Sequence, residues 1–355
     1  MLFYILKNMD KNNKFSEQKS LNAAVIGLGV GEQHIYGYQK HKKCIVKKIC
    51  DFDNKKLIEV HSRNPHCLAT KNPDDILEDP EIDVVSIASF DNFHHDQVIK
   101  ALDNNKHVFV EKPLCLNRKE YESIAFKLSE KRHLRLSSNL ILRKTERFIK
   151  LRNKIKSGEL GKPYLFESNY NYGRIHKIYK GWRGEIPFYS VMHGGGIHLI
   201  DLLLWLSNKK IHSVKAIGTN IATKHSNFKF HDCIAAQLEF DGGAIGQVVS
   251  NYPSVVPHGH KLAIYCDNGT FYHGPLGSSY FYSRDPKQTP EMNNENYPGV
   301  RKGDMIFSFV ECIINNTKPE VSENDVFNAM NVSLAIEESL HKKETVKISY
   351  LNFER

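Results

Sequence analysis

The chain of 355 residues carries 49 Lys and Arg against 40 Asp and Glu, a formal net charge of +9, with 41% hydrophobic and 25% charged residues. This is a soluble globular composition, and the length suggests two domains. No apolar run reaches the ~20 residues that cross a bilayer; the opening MLFYIL is too short for a signal-peptide core, with Lys7 and Asp10 close behind, so no membrane association and a cytoplasmic location are expected.

The lysines are spread, KHKKCIVKK (40–48) being the densest patch. Without aromatic platforms or a binding motif beside them they read as solvated surface, and no nucleic-acid partner is expected. Anionic small molecules stay compatible with that charge. Seven cysteines at 44, 50, 67, 115, 233, 266 and 312 show no CxxC spacing. That argues against structural zinc, and no metal is expected. An odd count without a secretory signal argues against a disulfide framework.

Residues 1–21 are polar, rich in Lys and Asn, and read as a mobile tail. From 22 to 140 short apolar runs alternate with helical patterns. AAVIGLG (23–29), VKKICDF (46–52), DVVSIAS (83–89), HVFVEKP (107–113) and LRLSSN (134–139) read as buried strands. DQVIKALDNN (96–105) and RKEYESIAFKLSEKR (118–132) read as helices, the second opened by Asn117 with Glu120 three residues on. This alternation predicts a doubly wound parallel sheet. After 140 the pattern changes. A helix over 144–158 is followed by longer, alternating strands, such as CIAAQLEF (233–240), which DGG (241–243) turns into AIGQVVSNY (244–252). One open face per strand predicts a mostly antiparallel sheet. Two late helices are expected near 302–316 and 323–341. The fold class is thus α/β, with a dinucleotide-binding domain over 22–140 and a second α/β domain over 141–355 built on a large open sheet.

VIGLGVGEQH (25–34) places Gly27, Gly29 and Gly31, with Val30 among them, between the first strand and a helix. Small residues let the backbone approach a pyrophosphate, and the helix N-terminus offers free N–H groups. The third glycine comes one residue early for GxGxxG, which loosens the match. Asp51 follows at the end of the second strand, where a carboxylate binds ribose hydroxyls. It would repel a 2′-phosphate, so NAD is favoured; Lys55 and Lys56 leave NADP open.

The strand Val108–Val110 ends in Glu111-Lys112-Pro113, at the edge where open α/β sheets bind ligands. GLGVGEQH, IASFDNFHHDQVIKALDNNKHVFVEKPL, KSGELGKP and GGGIHLIDLLLWL occur in an order that resembles the glucose–fructose oxidoreductase, inositol dehydrogenase and MocA family, from about residue 22 to 350. The resemblance implies hydride transfer between a nicotinamide and a carbon of a sugar, amino sugar, inositol or sugar nucleotide. It implies that Lys112 lies between nicotinamide and substrate and that His198 is the acid/base. Ser89, Asn92, His94 and Glu111 would line the cofactor site, in a loop where relatives often have a proline and this chain has Phe90-Asp91.

His198 falls on one helical face with Asp201, which can face substrate or pair with a neighbouring group. NYNYGRIHKIYKGWRG (169–184) supplies Tyr172, Arg174, Trp182 and Arg183 as sugar-stacking and anion-pairing candidates. Many relatives carry an aspartate four residues before the histidine. Here that position is Gly194, so His198 is expected to be less basic and less firmly held, with His193 a candidate to touch substrate or relay the proton. The open sheet predicts a homodimer or homotetramer. Two other readings stay open: an enzyme that recycles NAD during epimerisation or elimination, and a dinucleotide-binding regulator without turnover.

Overall fold

The computed structural model describes residues 20–351 and 353. The tail expected over 1–21 lies largely outside the described residues, but order begins inside that range, because Leu21 pairs with Cys44 as the first residue of a strand.

Six short strands form a parallel sheet: β1 (Leu21–Ile26), β2 (Cys44–Cys50), β3 (Leu68–Thr70), β4 (Val84–Ile87), β5 (His107–Val110) and β6 (Leu136–Ser138). Their order, β3-β2-β1-β4-β5-β6, reverses between β1 and β4 and opens a crevice at their carboxyl ends. Helices α1 (Glu32–Gln39), α2 (Asn54–Arg63), α3 (Asp74–Leu77), α4 (His94–Asp103) and α5 (Arg118–Glu130) connect them. The start of α5 is set as expected, the Asn117 side chain accepting from Glu120 N. All four β4 residues are buried, as a strand covered on both faces requires.

Helix α6 (Glu146–Lys156) leads into a nine-stranded sheet. Its strands are β7 (Pro163–Asn171), β8 (Ile211–Thr219), β9 (Cys233–Phe240), β10 (Ile245–Asn251), β11 (Gly259–Cys266), β12 (Thr270–Gly274), β13 (Gly277–Phe281), β14 (Glu291–Met292) and β15 (Val346–Lys347). Among its pairings only β7 with β10 is parallel. The DGG segment joins β9 to β10, with Gly242 and Gly243 at φ +83° and +85°. A short α7 (His176–Tyr179) and then α8 (Ile197–Ser207) lie between β7 and β8; α9 (Ile306–Asn315) and α10 (Glu323–Lys342) follow β14. Two of these, α8 and α10, lie against one face of the sheet. The other face leaves Ile245, Tyr272 and Phe281 exposed at 54%, 40% and 37%.

One segment assigned by its sequence position to the second half packs on the first. The Gly303 carbonyl lies so close to Gly37 of α1 that a Cβ there would collide with it. Phe309 meets Phe109 of β5 at 5.7 Å, and His41 Nε2 reaches Glu311 Oε1 at 2.8 Å. The physical reason is that α9 has a buried apolar stripe, which β5 and α1 cover. Among the described residues no helix is long and apolar enough to cross a membrane.

Candidate active site

A cleft of about 570 Å³ opens at the carboxyl ends of β1, β2, β4 and β5, lined among others by Gly27, Gly29, Val30, Asp51, Ser89 and Lys112. Gly27 has φ +85° and lies against the Ala88 backbone, where a side chain would collide. A Cβ on Gly29 would meet nothing within 4 Å, so this backbone faces open space. Gly31 lies against the Gly27 carbonyl and Val25, bringing α1 close to β1 despite its early place in the motif. Asp51 accepts from Leu28 N at 2.7 Å and from Asp53 N at 2.9 Å, which fixes its carboxylate beside the glycine loop. An open glycine backbone, a fixed carboxylate and a roomy cleft fit a dinucleotide. Lys56, also in the lining, is held by Glu32 at 3.1 Å.

At the inner end, Glu111 is buried and accepts from Asn139 at 2.7 Å and His34 at 3.3 Å. Burial alone would raise its carboxyl, but His34, Lys302 and Lys112 hold it well below the usual range. Lys112 Nζ donates to the Gly194 carbonyl at 2.7 Å, across the seam between the two halves. Burial pushes its ammonium down to about 8, with Lys302 and Arg183 adding to the push and Glu111 and Asp91 opposing it.

The run SVMHGGG is a turn of wide helix, Met192–Gly196, feeding α8. Its glycines are close-contact positions. A Cβ on Gly194 would meet the Tyr189 and Tyr252 hydroxyls, and one on Gly195 the Tyr170 ring. Those hydroxyls bond each other at 2.9 Å, and Arg183 Nε donates to Tyr189 at 3.1 Å. The place for a carboxylate before His198 is thus filled by a phenol pair. His198 is 6% exposed, its Nδ1 is buried with no hydrogen-bond partner, and burial holds the ring well below its ordinary pKa. The lowered basicity of His198 thus comes first from burial, with Lys112, Lys302 and His260 adding to it. Its ring lies 6.4 Å from Tyr170 and from His260.

The remaining expected residues divide. Trp182 stacks on Phe90 at 4.7 Å across the cleft, and Arg183 lies 4.5 Å over Trp182. Tyr172 stacks on Tyr252 at 4.3 Å, and Arg174 covers Tyr172 at 4.5 Å with its Nε buried and unpartnered. Ser89 is bonded to Gln97 at 2.7 Å and still lines the cleft; Asn92 keeps a buried Oδ1 without partner. Three residues are corrected. His94, expected to line the cofactor site, is wholly buried; its nitrogens lie 2.6 Å from the Pro113 carbonyl and 3.2 Å from that of Ser89, tying the two loops together. Asp201, for which facing substrate or pairing with a neighbouring group both stood open, does not face substrate: it gives both oxygens to Arg143, at 2.5–3.2 Å, in a buried ion pair. Breaking such a pair costs about 3–5 kcal/mol. His193, expected at the substrate or in a relay, is 1% exposed with Nδ1 on the Ser333 hydroxyl at 2.7 Å.

Other residues were missed. Asp91 is a buried carboxyl whose charge bears on Lys112 and Arg183; its stand-in for the loop proline was the available signal. Lys302 acts on Glu111, Lys112, His198, His258 and His260, yet arrives from a loop 190 residues beyond Lys112 with no motif around it. His260 and Tyr252, on β11 and just past β10, have no spacing that betrays them.

The comparisons with known proteins agree with this geometry. Residues 21–140 match the profile of an oxidoreductase family with an NAD-binding Rossmann fold, and residues 148–272 match the GFO/IDH/MocA C-terminal domain. The chain is 24% identical to myo-inositol 2-dehydrogenase of Thermotoga maritima over 350 residues, covering 92% of this chain and 98% of that one. It is 26% identical to scyllo-inositol 2-dehydrogenase (NAD(+)) of Bacillus subtilis, covering 79% and 81%. Among solved structures, levoglucosan dehydrogenase in complex with NADH and L-sorbose superposes with a TM-score of 0.81 at 18% identity, over 93% of this chain and 99% of that one. Scyllo-inositol dehydrogenase from Lactobacillus casei, with bound NAD(H) and scyllo-inositol, gives 0.77 at 20%, over 93% and 99%. Together with the glycine loop, the Glu111-Lys112 strand end and the His198 helix, the two profile matches place this chain in the glucose–fructose oxidoreductase, inositol dehydrogenase and MocA family of NAD-binding oxidoreductases.

Proposed function

We propose that the protein oxidises a secondary alcohol of a sugar or cyclic polyol with NAD, using Lys112 and His198 at the reacting oxygen. One juxtaposition carries this reading. Lys112 donates to Gly194 one helical turn before His198, beside a cleft fitted for a dinucleotide. The relatives named for inositol and levoglucosan support the substrate class.

NAD, when bound, accepts the hydride. The rest falls to the chain. With its pKa near 8, Lys112 is mostly an ammonium at neutral pH and can stabilise negative charge growing on the substrate oxygen. His198, neutral because it is buried, can accept the hydroxyl proton. Asp91 and Glu111 favour the charge on Lys112. Asp51 would bind the adenosine ribose and disfavour a 2′-phosphate, so NAD is preferred over NADP. Gly27, Gly29 and Val30 bring backbone to the pyrophosphate. Ser89, Asn92 and Glu111 complete the cofactor wall, while Tyr172, Arg174, Trp182 and Arg183 form the substrate wall. Trp182 on Phe90 narrows the mouth and limits water.

Two further parts belong to this reading. The exposed sheet face carrying Ile245, Tyr272 and Phe281 joins copies into a dimer or tetramer. The cytoplasm, where nicotinamide cofactors are abundant, is the working compartment. Light scattering that gave only the monomer mass of 40.8 kDa would contradict the assembly.

The test of function mixes purified protein with NAD and a panel of inositols and sugars. NADH should accumulate with at least one of them. Substrate conversion without net NADH would replace the reading by cofactor recycling. Tight NAD binding with no chemistry across the panel would replace it by a regulator.

A further inference from the structure

A second cleft, of about 660 Å³, lies away from the cofactor, between α6, the end of α8 and the start of α10. Six of the fourteen residues lining it are Arg or Lys: Arg143, Lys144, Arg152, Lys209, Lys210 and Lys318. The whole chain has 49 such residues in 355, so the cleft is enriched about threefold. Only two carboxylates, Glu320 and Asp325, join the lining.

The pairing is uneven. Arg143, on the floor, is taken by Asp201 at 2.5 Å and Asp325 at 3.1 Å. Lys144 is paired with Glu320. Among the described residues, Arg152, Lys209, Lys210 and Lys318 meet no carboxylate at ion-pair distance. Arg152 is held in place by Trp205, whose ring it covers at 4.3 Å and whose carbonyl accepts from Nε at 3.2 Å. Lysines after a helix are ordinary complements to its negative end. That explains Lys209 and Lys210 behind α8. It does not explain Arg152 on α6 or Lys318 on the loop before α10, which bring charge of the same sign to the same concavity. Like charges converging on a cleft cost energy unless an anion offsets them, and they raise its local concentration.

We propose that this cleft binds a small phosphorylated molecule. The ligand is multivalent, because four cations without a carboxylate partner reach one space from three segments, Lys210 among them lying 5.0 Å over the Tyr350 ring. Phosphate oxygens suit the fork of the Arg152 guanidinium and the point charges of the lysines. The site adjoins the helix carrying His198, since Arg143 also grips Asp201 of α8.

The test exploits the two tryptophans of the chain. In a Trp182→Phe variant, Trp205 alone reports, from the wall of the cleft. Sodium pyrophosphate is titrated with NAD saturating the cofactor cleft and NaCl holding ionic strength constant. A saturable change in Trp205 fluorescence is expected. Adding Lys209→Glu and Lys318→Glu should weaken binding tenfold or more, since a hydrogen bond to a charged group is worth about that factor or above. The milder Lys209→Ala, Lys318→Ala pair should weaken it in the same direction, and both lysines are exposed, so folding is not at stake. No saturable change, a change reproduced by NaCl alone, or unaltered affinity in both pairs overturns the proposal. Stronger competition by single-stranded RNA or by phosphatidylserine vesicles than by pyrophosphate overturns the small-molecule assignment. None of these readouts depends on turnover, so they are independent of the proposed reaction.

Discussion

The two walls of the active-site cleft are built differently. The first-domain wall is mostly backbone and anchored carboxylates, although Asn92 Oδ1, His34 Nδ1 and Asn139 Oδ1 are buried without partners. Both Asp51 oxygens accept backbone N–H groups, Glu111 is held by Asn139 and His34, and His94 lies against two carbonyls. The second-domain wall is side chains with loose ends: His198 Nδ1, His260 Nε2 and Arg174 Nε are buried without partners. A buried unsatisfied polar group costs about 1–3 kcal/mol. Under the proposed function, a ligand rich in hydroxyls would supply partners to those on the second wall. The contrast is one of carboxylates fixed by partners, at Asp51 and Glu111, against imidazole and guanidinium nitrogens left open, which under the proposed function fits a constant cofactor on one side and a variable substrate on the other.

The largest test of this contrast removes the groups that bridge the walls. Lys112→Ala and His198→Ala should each lower turnover by ~10²–10⁴-fold while NAD affinity and the far-ultraviolet dichroism stay close to normal. A His198→Ala enzyme with full turnover would move the proton to another group and break the division.

A smaller effect is expected at the cofactor wall. Asp51→Ala removes the carboxylate proposed to bind the ribose and also the acceptor for Leu28 N and Asp53 N. NAD affinity should fall by about tenfold or more, and NADP affinity by less. Calorimetric titration of both cofactors checks the sign. Tighter NADP than NAD binding in the unmodified protein would show that Lys56 and Lys71, which both line the cleft, outweigh Asp51.

The same contrast explains what could be read from sequence. Strand order and the glycine loop follow from short-range patterns, and the Asp51 position is a fixed distance from the loop. On the second wall Tyr172, Arg174, Trp182 and Arg183 could be read from the single segment 169–184, but Tyr252, His260 and Lys302 come from separate segments, and nothing local ties them to it. Asp201 misled because helical periodicity puts it on the His198 face but cannot reveal that Arg143, 58 residues earlier, waits opposite it. His193 misled because adjacency in sequence hid its burial beneath α10. The early third glycine misled least, since close contact with Gly27 is what matters there.

A pH profile sharpens the assignment of roles. Lys112 has a folded-state pKa near 8, so it loses its proton as pH rises through that value. If its ammonium steadies the substrate oxygen, kcat/KM should fall about tenfold per unit above pH 8. His198, held well below 6.5, is already neutral across that range and adds no limb there. Lys112→Arg, which cannot deprotonate, should remove the falling limb even if overall turnover drops. A rate that instead rises toward pH 8 would make the Lys112 amine the base.

The smallest effect on turnover is expected at His193, and its sign separates structure from chemistry. The ring is buried, with Nδ1 on Ser333 and Phe188 6.1 Å away, and burial pushes it down to about 4. His193 does not line the cofactor cleft and its Nδ1 is engaged by Ser333 of α10, which keeps it off the proposed proton path. His193→Ala should therefore change turnover per folded molecule by less than a few-fold and leave the pH profile in place. Its cost appears in stability, about 2–4 kcal/mol from a cavity and a lost hydrogen bond, read from the denaturant midpoint. The pH dependence of that stability has a definite sign. The folded-state pKa lies below the unfolded value of 6.5, so the unfolded chain binds the proton first. Stability is lost as pH falls from 6.5 toward 4, and without the imidazole this part of the acid loss should vanish. A His193→Ala protein with normal stability and a shifted pH–rate profile would return His193 to the proton path.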